Sequence, residues 1–287
     1  MQMELGFSGF KALNVGSNFE QSEDVNEYFT LHAPPNSNLQ REPGASSDDV
    51  TAPMVLKRLQ QSFLLAEVTV SAEFAMDHDQ AGLVIFAGGP PPGVDGSMVS
   101  QATTTTTTTT PSGRRSGSRY PSGFTLESIV TRRWAKAGLE FARGELHAAS
   151  SVAVSTCGAD WSSSARMPSP FSTFDPFSLT SVSSQSLRIR FERVDQSLWI
   201  SYEIPNYSEP ETNYYASSAY ATEHPSPEDL GSRWKQMREV AGFFAGVEQK
   251  GNIWVGCYAS RPMDYEPSNA WDEVDELIAE FEDLDIL

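Results

Sequence analysis

Strict alternation in Trp134-Ala135-Lys136-Ala137-Gly138-Leu139-Glu140-Phe141 constrains the fold of this chain more than any other stretch. Side chains on a strand point to opposite faces in turn. Ala135, Ala137, Leu139 and Phe141 therefore share one face, small or apolar throughout, and that face must meet a core. Trp134, Lys136, Gly138 and Glu140 share the other. An indole, an ammonium and a carboxylate, with a glycine leaving room between them, suit a ligand or water rather than a core. A solvated sheet face carrying a stray Trp is the plainer alternative.

The same period recurs along the chain. Ala81, Leu83 and Ile85 alternate with Gln80, Gly82 and Val84, and Leu187, Ile189 and Phe191 with Arg188, Arg190 and Glu192. Further strands are expected over residues 28–33, 63–74, 124–129, 146–155, 198–204, 234–240 and 252–260, the last as a central strand. Arg143-Gly144 and Asp195-Gln196 read as hairpin turns, and residues 34–38 and 77–79 as polar turns. Residues 41–53 read as a Pro/Gly/Ser/Asp-rich loop, and residues 162–185 are Ser/Pro-rich. At the C-terminus Val274, Leu277, Ile278, Phe281 and Leu284 fit helical spacing, whereas residues 281–286 also fit an edge strand guarded by charges. A short helical turn or loop at 272–276 followed by a strand to the end is the favoured expectation. Many strands, Gly/Pro turns and little helix predict an all-β sandwich or jelly roll.

Residues 88–123 break the pattern. Gly88-Gly89-Pro90-Pro91-Pro92-Gly93 leads into eight threonines, Thr103 to Thr110, and an arginine-bearing Ser/Gly tract. Such composition cannot bury apolar surface, so a disordered insertion within one sheet is expected. Residues 205–231, rich in Tyr, Pro and Ser, read as a second insertion. The 287 residues are thus one domain, 1–287, with 39% hydrophobic residues to fill its core.

The formal charge of −18 argues against nucleic acid as a partner. No apolar run is long enough to span a membrane, and residues 1–7 lack the pattern of a secretory signal. A cytoplasmic protein is expected. Cys157 and Cys257, each in a strand-like apolar run, are expected to be buried, reduced and unpaired.

Several segments together resemble the concanavalin A-like family called regulation-of-enolase-like, a family of largely unknown function. They are residues 79–84, 134–140, 160–162, the Arg188/Arg190 strand, 234–238, Val255-Gly256-Cys257-Tyr258-Ala259-Ser260-Arg261-Pro262 and 281–286, in that order. Residues 29–35 match more weakly, and where the family usually has a Trp before a basic pair this chain has Leu39-Gln40-Arg41-Glu42. The resemblance implies a jelly-roll β-sandwich of two antiparallel sheets with a concave face. Its name implies enolase, or another glycolytic enzyme, as a partner. Fold alone gives no function.

The residues themselves narrow the chemistry. Concanavalin-like glucanases often carry Glu-x-Asp-x-x-Glu on one strand; Glu273-Val274-Asp275 begins that spacing, but position 278 is Ile. Asp77-His78-Asp79 offers metal-ligand types, yet three adjacent residues suit a polar turn better. His32, His147 and His224 show no ligand spacing with the cysteines, and no phosphate loop or serine nucleophile elbow is present. No cofactor is expected. What remains is Trp134 and Trp161, which could stack on a sugar ring while Gln80, Lys136 and Glu140 hydrogen-bond its hydroxyls. The expected function is a non-catalytic module binding a carbohydrate-like ligand through these five residues. The alternatives are a protein-binding regulator of enolase and a glycan hydrolase or lyase with an unrecognised carboxylate pair.

Overall fold

Alternation becomes architecture once the strands find partners. The computed structural model describes residues 9–16, 19, 25–45, 47–94, 132–155, 157–167, 185–205, 233–247, 253–262 and 276–287, with the backbone of 2–4. In chain order the strands are β1 (Gln2–Glu4), β2 (Phe10–Leu13), β3 (Tyr28–Ala33), β4 (Leu39–Gln40), β5 (Asp49–Val50), β6 (Met54–Leu59), β7 (Leu65–Ala72) and β8 (Gln80–Ala87). They continue as β9 (Arg133–Ala142), β10 (Glu145–Ala153), β11 (Asp160–Arg166), β12 (Ser186–Val194), β13 (Ser197–Glu203), β14 (Lys235–Val240), β15 (Ile253–Ser260) and β16 (Leu277–Ile286). None of the described residues is helical.

Two large antiparallel sheets form a jelly-roll-like β-sandwich. The front sheet runs β1-β2-β6-β15-β8-β9-β10-β11 and the back sheet β14-β13-β12-β7-β16-β3. Between them lie Ala81, Leu83 and Ile85 of β8, Ala135, Ala137 and Leu139 of β9, and Val255, Cys257 and Ala259 of β15. They face Val68, Val70, Ile189, Phe191, Leu198 and Ile200 of the back sheet, all fully buried. Phe29 and Phe281 stack at 4.9 Å on neighbouring strands of the back sheet. At one edge Arg238 of β14 forms an ion pair with Asp160 of β11, tying the two sheets together.

A small β4–β5 hairpin lies over the outer face of the front sheet and makes a second core there. Leu39 and Ala52 pack with Met54, Leu56, Val84, Phe86, Trp134, Trp254 and Tyr258 in a cluster separate from the main one. Arg41 staples this flap down. Its guanidinium pairs with Asp48 at 2.6 Å and 3.0 Å, and donates to the carbonyls of Ser155 and Arg132. Asn14 donates to the carbonyls of Val50 and Ala52 from the other side.

Several expectations are corrected. β6 falls where no strand is expected, because Met54-Val55-Leu56 is buried on both faces and shows no alternation. Residues 160–166 form β11, which takes in the start of the Ser/Pro-rich stretch, since an edge position admits its mostly polar side chains. β16 is a strand but not an edge: it pairs with both β3 and β7, and its charged residues alternate outward. Cys257 is buried as expected, whereas Cys157 is exposed, because β10 ends at Ala153 and the chain turns; neither is in a disulfide. The strand expected at 124–129, the helical turn or loop expected at 272–276 except its last residue, most of the 88–123 insertion and all but the first residue of the 205–231 insertion lie outside the described residues. No described helix is long and apolar enough to cross a membrane.

Candidate ligand-binding site

The outer face of the front sheet is an array fixed by register. One row runs Ser260, Gln80, Glu140, His147, the next Tyr258, Gly82, Gly138, Ala149, Ser163, and the next Gly256, Val84, Lys136, Ser151, Trp161. The middle row is nearly bare at its centre. Gly82 and Gly138 face each other across β8 and β9, and a Cβ on Gly138 would come closer to the Ala81 carbonyl than any real contact allows. Two strands this close admit only glycine at the pair. The bare row is therefore a trough, with Lys136 on one bank and Glu140 on the other.

Trp161 crosses that trough. It starts in the row of Lys136, yet its Nε1 donates to Glu140 Oε2 at 2.6 Å. The indole must pass over Ala149 and Gly138 to do so, and larger side chains there would block it. Glu140 Oε1 faces His78 Nδ1 at 3.4 Å. His78 takes φ 72°, held by a turn locked from within. Asp79 is fully buried, accepts from the backbone N–H of Ala75 and Met76, and takes both an Nε and an Nη donor of Arg261 at 2.8 Å. The triplet 77–79 is thus a turn whose last carboxylate is a buried structural anchor, since Arg261 claims both of its oxygens.

Around this floor opens a cavity of about 920 Å³. Gln80, Lys136, Glu140 and Trp161 line it, with Asn38, Gln40 and Arg41 from the flap, His78, and Ser151 and His147 from β10. Lys136 is only 5% exposed and Glu140 only 4%. Burial pushes the Lys136 ammonium down from 10.5 to about 8, against the opposing pull of the Glu140 charge. Its Nζ sits 5.4 Å from the centre of the Tyr258 ring. Burial, and then Glu140, push the Tyr258 phenol well above its usual value.

Four of the five residues expected at a site thus share one cavity, and Trp134 does not. Alternation places Trp134 on the outer face with Lys136 and Glu140, but the residue is 0% exposed inside the second core. The expectation of an exposed Trp134 is corrected: the flap covers that end of the face, and flap contacts separated far in sequence leave no local periodic signal. The flap residues, His78 as a cavity residue and Tyr258 were missed for the same reason. Among the described residues no group of three or more His, Cys, Asp or Glu is placed to hold a metal ion.

Comparison with known proteins yields a family and a fold. The family described as "Protein of unknown function (DUF1349)" matches residues 17–286. A functionally unknown protein from Saccharomyces cerevisiae has a similar structure, with 14% identity and a TM-score of 0.51 over 97% of this chain and 96% of that one. A Bacteroides ovatus protein described as "Xyloglucan PUL GH43B" aligns at 8% identity and a TM-score of 0.48, over 99% of this chain and 38% of its own. A Bacillus halodurans xylan beta-1,4-xylosidase aligns at 7% identity and a TM-score of 0.43, over 89% and 32%. No curated protein matches the sequence.

Proposed function

The chain belongs to this DUF1349 family, and we propose that it is a binding module whose front-sheet cavity takes a carbohydrate-like ligand. The observation that carries this reading is Trp161. It is 52% exposed, borders the cavity, and is held by the Glu140 carboxylate instead of being buried as a core residue. An indole fixed by a charge-assisted hydrogen bond offers a rigid apolar plane, the surface a sugar ring stacks upon. Gln80, Asn38, Gln40 and Ser151 supply amides and a hydroxyl around it, as a polyhydroxylated ligand needs. Glu140 acts as a clamp on Trp161 and His78, with both oxygens engaged, which favours binding over acid catalysis.

A glycan array followed by calorimetry tests this. The wild-type protein should bind a defined glycan class, and Trp161→Ala should lose that binding with its melting temperature little changed. Absence of glycan binding by the wild type, or undiminished binding by Trp161→Ala, overturns it.

A further inference from the structure

Lys136 stands out among the buried charged groups in and beside the cavity. Arg41 is matched by Asp48, Arg261 by Asp79, and Glu145 by Arg166. Glu140 has a donor on each oxygen. An ammonium carries three N–H donors. Among the described residues none of the three has a hydrogen-bond acceptor or an ion-pair partner: the Tyr258 ring face lies beside the ammonium, and the Glu140 charge acts on it without direct contact. A cation nine-tenths buried with no counter-ion in direct contact is costly, and such charges are ordinarily paired. Lys136 lines the cavity together with Gln80, Glu140, Ser151 and Trp161, so a ligand that enters beside Trp161 reaches the ammonium.

We propose that the ligand is an acidic sugar whose carboxylate seats on Lys136 in the cavity while its ring stacks on Trp161. This rests on the carbohydrate reading above and narrows it to a uronate class. One unmatched buried ammonium balances one negative charge, which fits a carboxylate better than a phosphate dianion in a cavity already holding Glu140. A neutral hydroxyl would accept a hydrogen bond but leave the charge uncompensated, and hydrogen bonds to charged partners are roughly twice as strong.

The charged and titrating groups around Lys136 are Glu140 on its own strand, Tyr258 on β15, Asp77 and His78 in the turn, Arg143 in the β9–β10 turn, Glu145 and His147 on β10 and Arg41 on the flap. Burial and Glu140 keep Tyr258 protonated well beyond its usual range, so loss of the Lys136 proton dominates above about pH 8.

The experiment compares oligosaccharides of D-glucuronate or D-galacturonate with glucose and galactose oligosaccharides of equal length, by calorimetry on the wild-type chain. Uronates should bind at least about tenfold more tightly at pH 7. That preference should vanish in Lys136→Met. In the wild type, uronate affinity should fall towards about tenfold per pH unit above pH 8, a readout independent of whether the variant folds. Neutral sugars bound as tightly as uronates, or sugar phosphates bound more tightly than uronates, overturn this inference and leave the carbohydrate reading standing. Binding of neither acidic nor neutral sugars overturns both.

Discussion

At the scale of single residues, two tryptophans on one sheet face separate stability from binding. Trp134 is enclosed by apolar side chains of the second core, so Trp134→Ala should cost about 3–5 kcal/mol, the usual range for removing a buried aromatic. Trp161→Ala should cost under about 1 kcal/mol, since its ring is half exposed. Chemical denaturation of both variants checks the contrast; equal losses would contradict the cavity geometry. Lys136 gives a pH signature. Its folded value, about 8, lies below its ordinary 10.5, so between those values the unfolded chain binds more protons and stability rises with pH. Cys257 and Tyr258 act the other way at higher pH, because burial raises both and only the unfolded chain ionises them. The difference in stability between wild type and Lys136→Met isolates the lysine. It should move in favour of the wild type by about 1 kcal/mol between pH 7 and pH 9. A flat difference would mean that the ammonium is solvated.

At the scale of elements, the glycine pair and the flap set the shape of the site. Gly138→Ala places a methyl against the Ala81 carbonyl, so β8 and β9 must part and the trough between Lys136 and Glu140 must deform. A loss of about 3 kcal/mol or more is expected, larger than propensity alone would give. Arg41→Met should release the flap: hydrogen exchange in β4 and β5 should accelerate while the central strands stay protected. These two features also mark how far the sequence could be read. Alternation was sufficient for the strands with one apolar face, and it placed Lys136, Glu140 and Gln80 on the correct side. It failed at β6, whose residues are buried on both faces, and at Trp134, whose cover comes from residues about a hundred positions earlier. The Trp161–Glu140 bond was equally hidden, because it depends on a register across three strands.

At the scale of the whole molecule, the two cysteines report on the integrity of the sandwich. Cys257 lies fully buried between the sheets and Cys157 on an exposed turn. Alkylation of the native protein should label one thiol, and labelling after denaturation should find two. Two labels on the native protein would show that the sheets open readily. The front sheet itself is covered unevenly. Near Trp134 and Trp254 it has a core on both faces, whereas near Glu140 and His147 one face opens on the cavity. Thus the sheet should behave mechanically as a clamped plate with one free margin. Its slow breathing motions would concentrate in β10 and β11, and a bound sugar bridging Lys136 to Trp161 would damp them, lengthening the lifetime of the amides beyond the residues it touches.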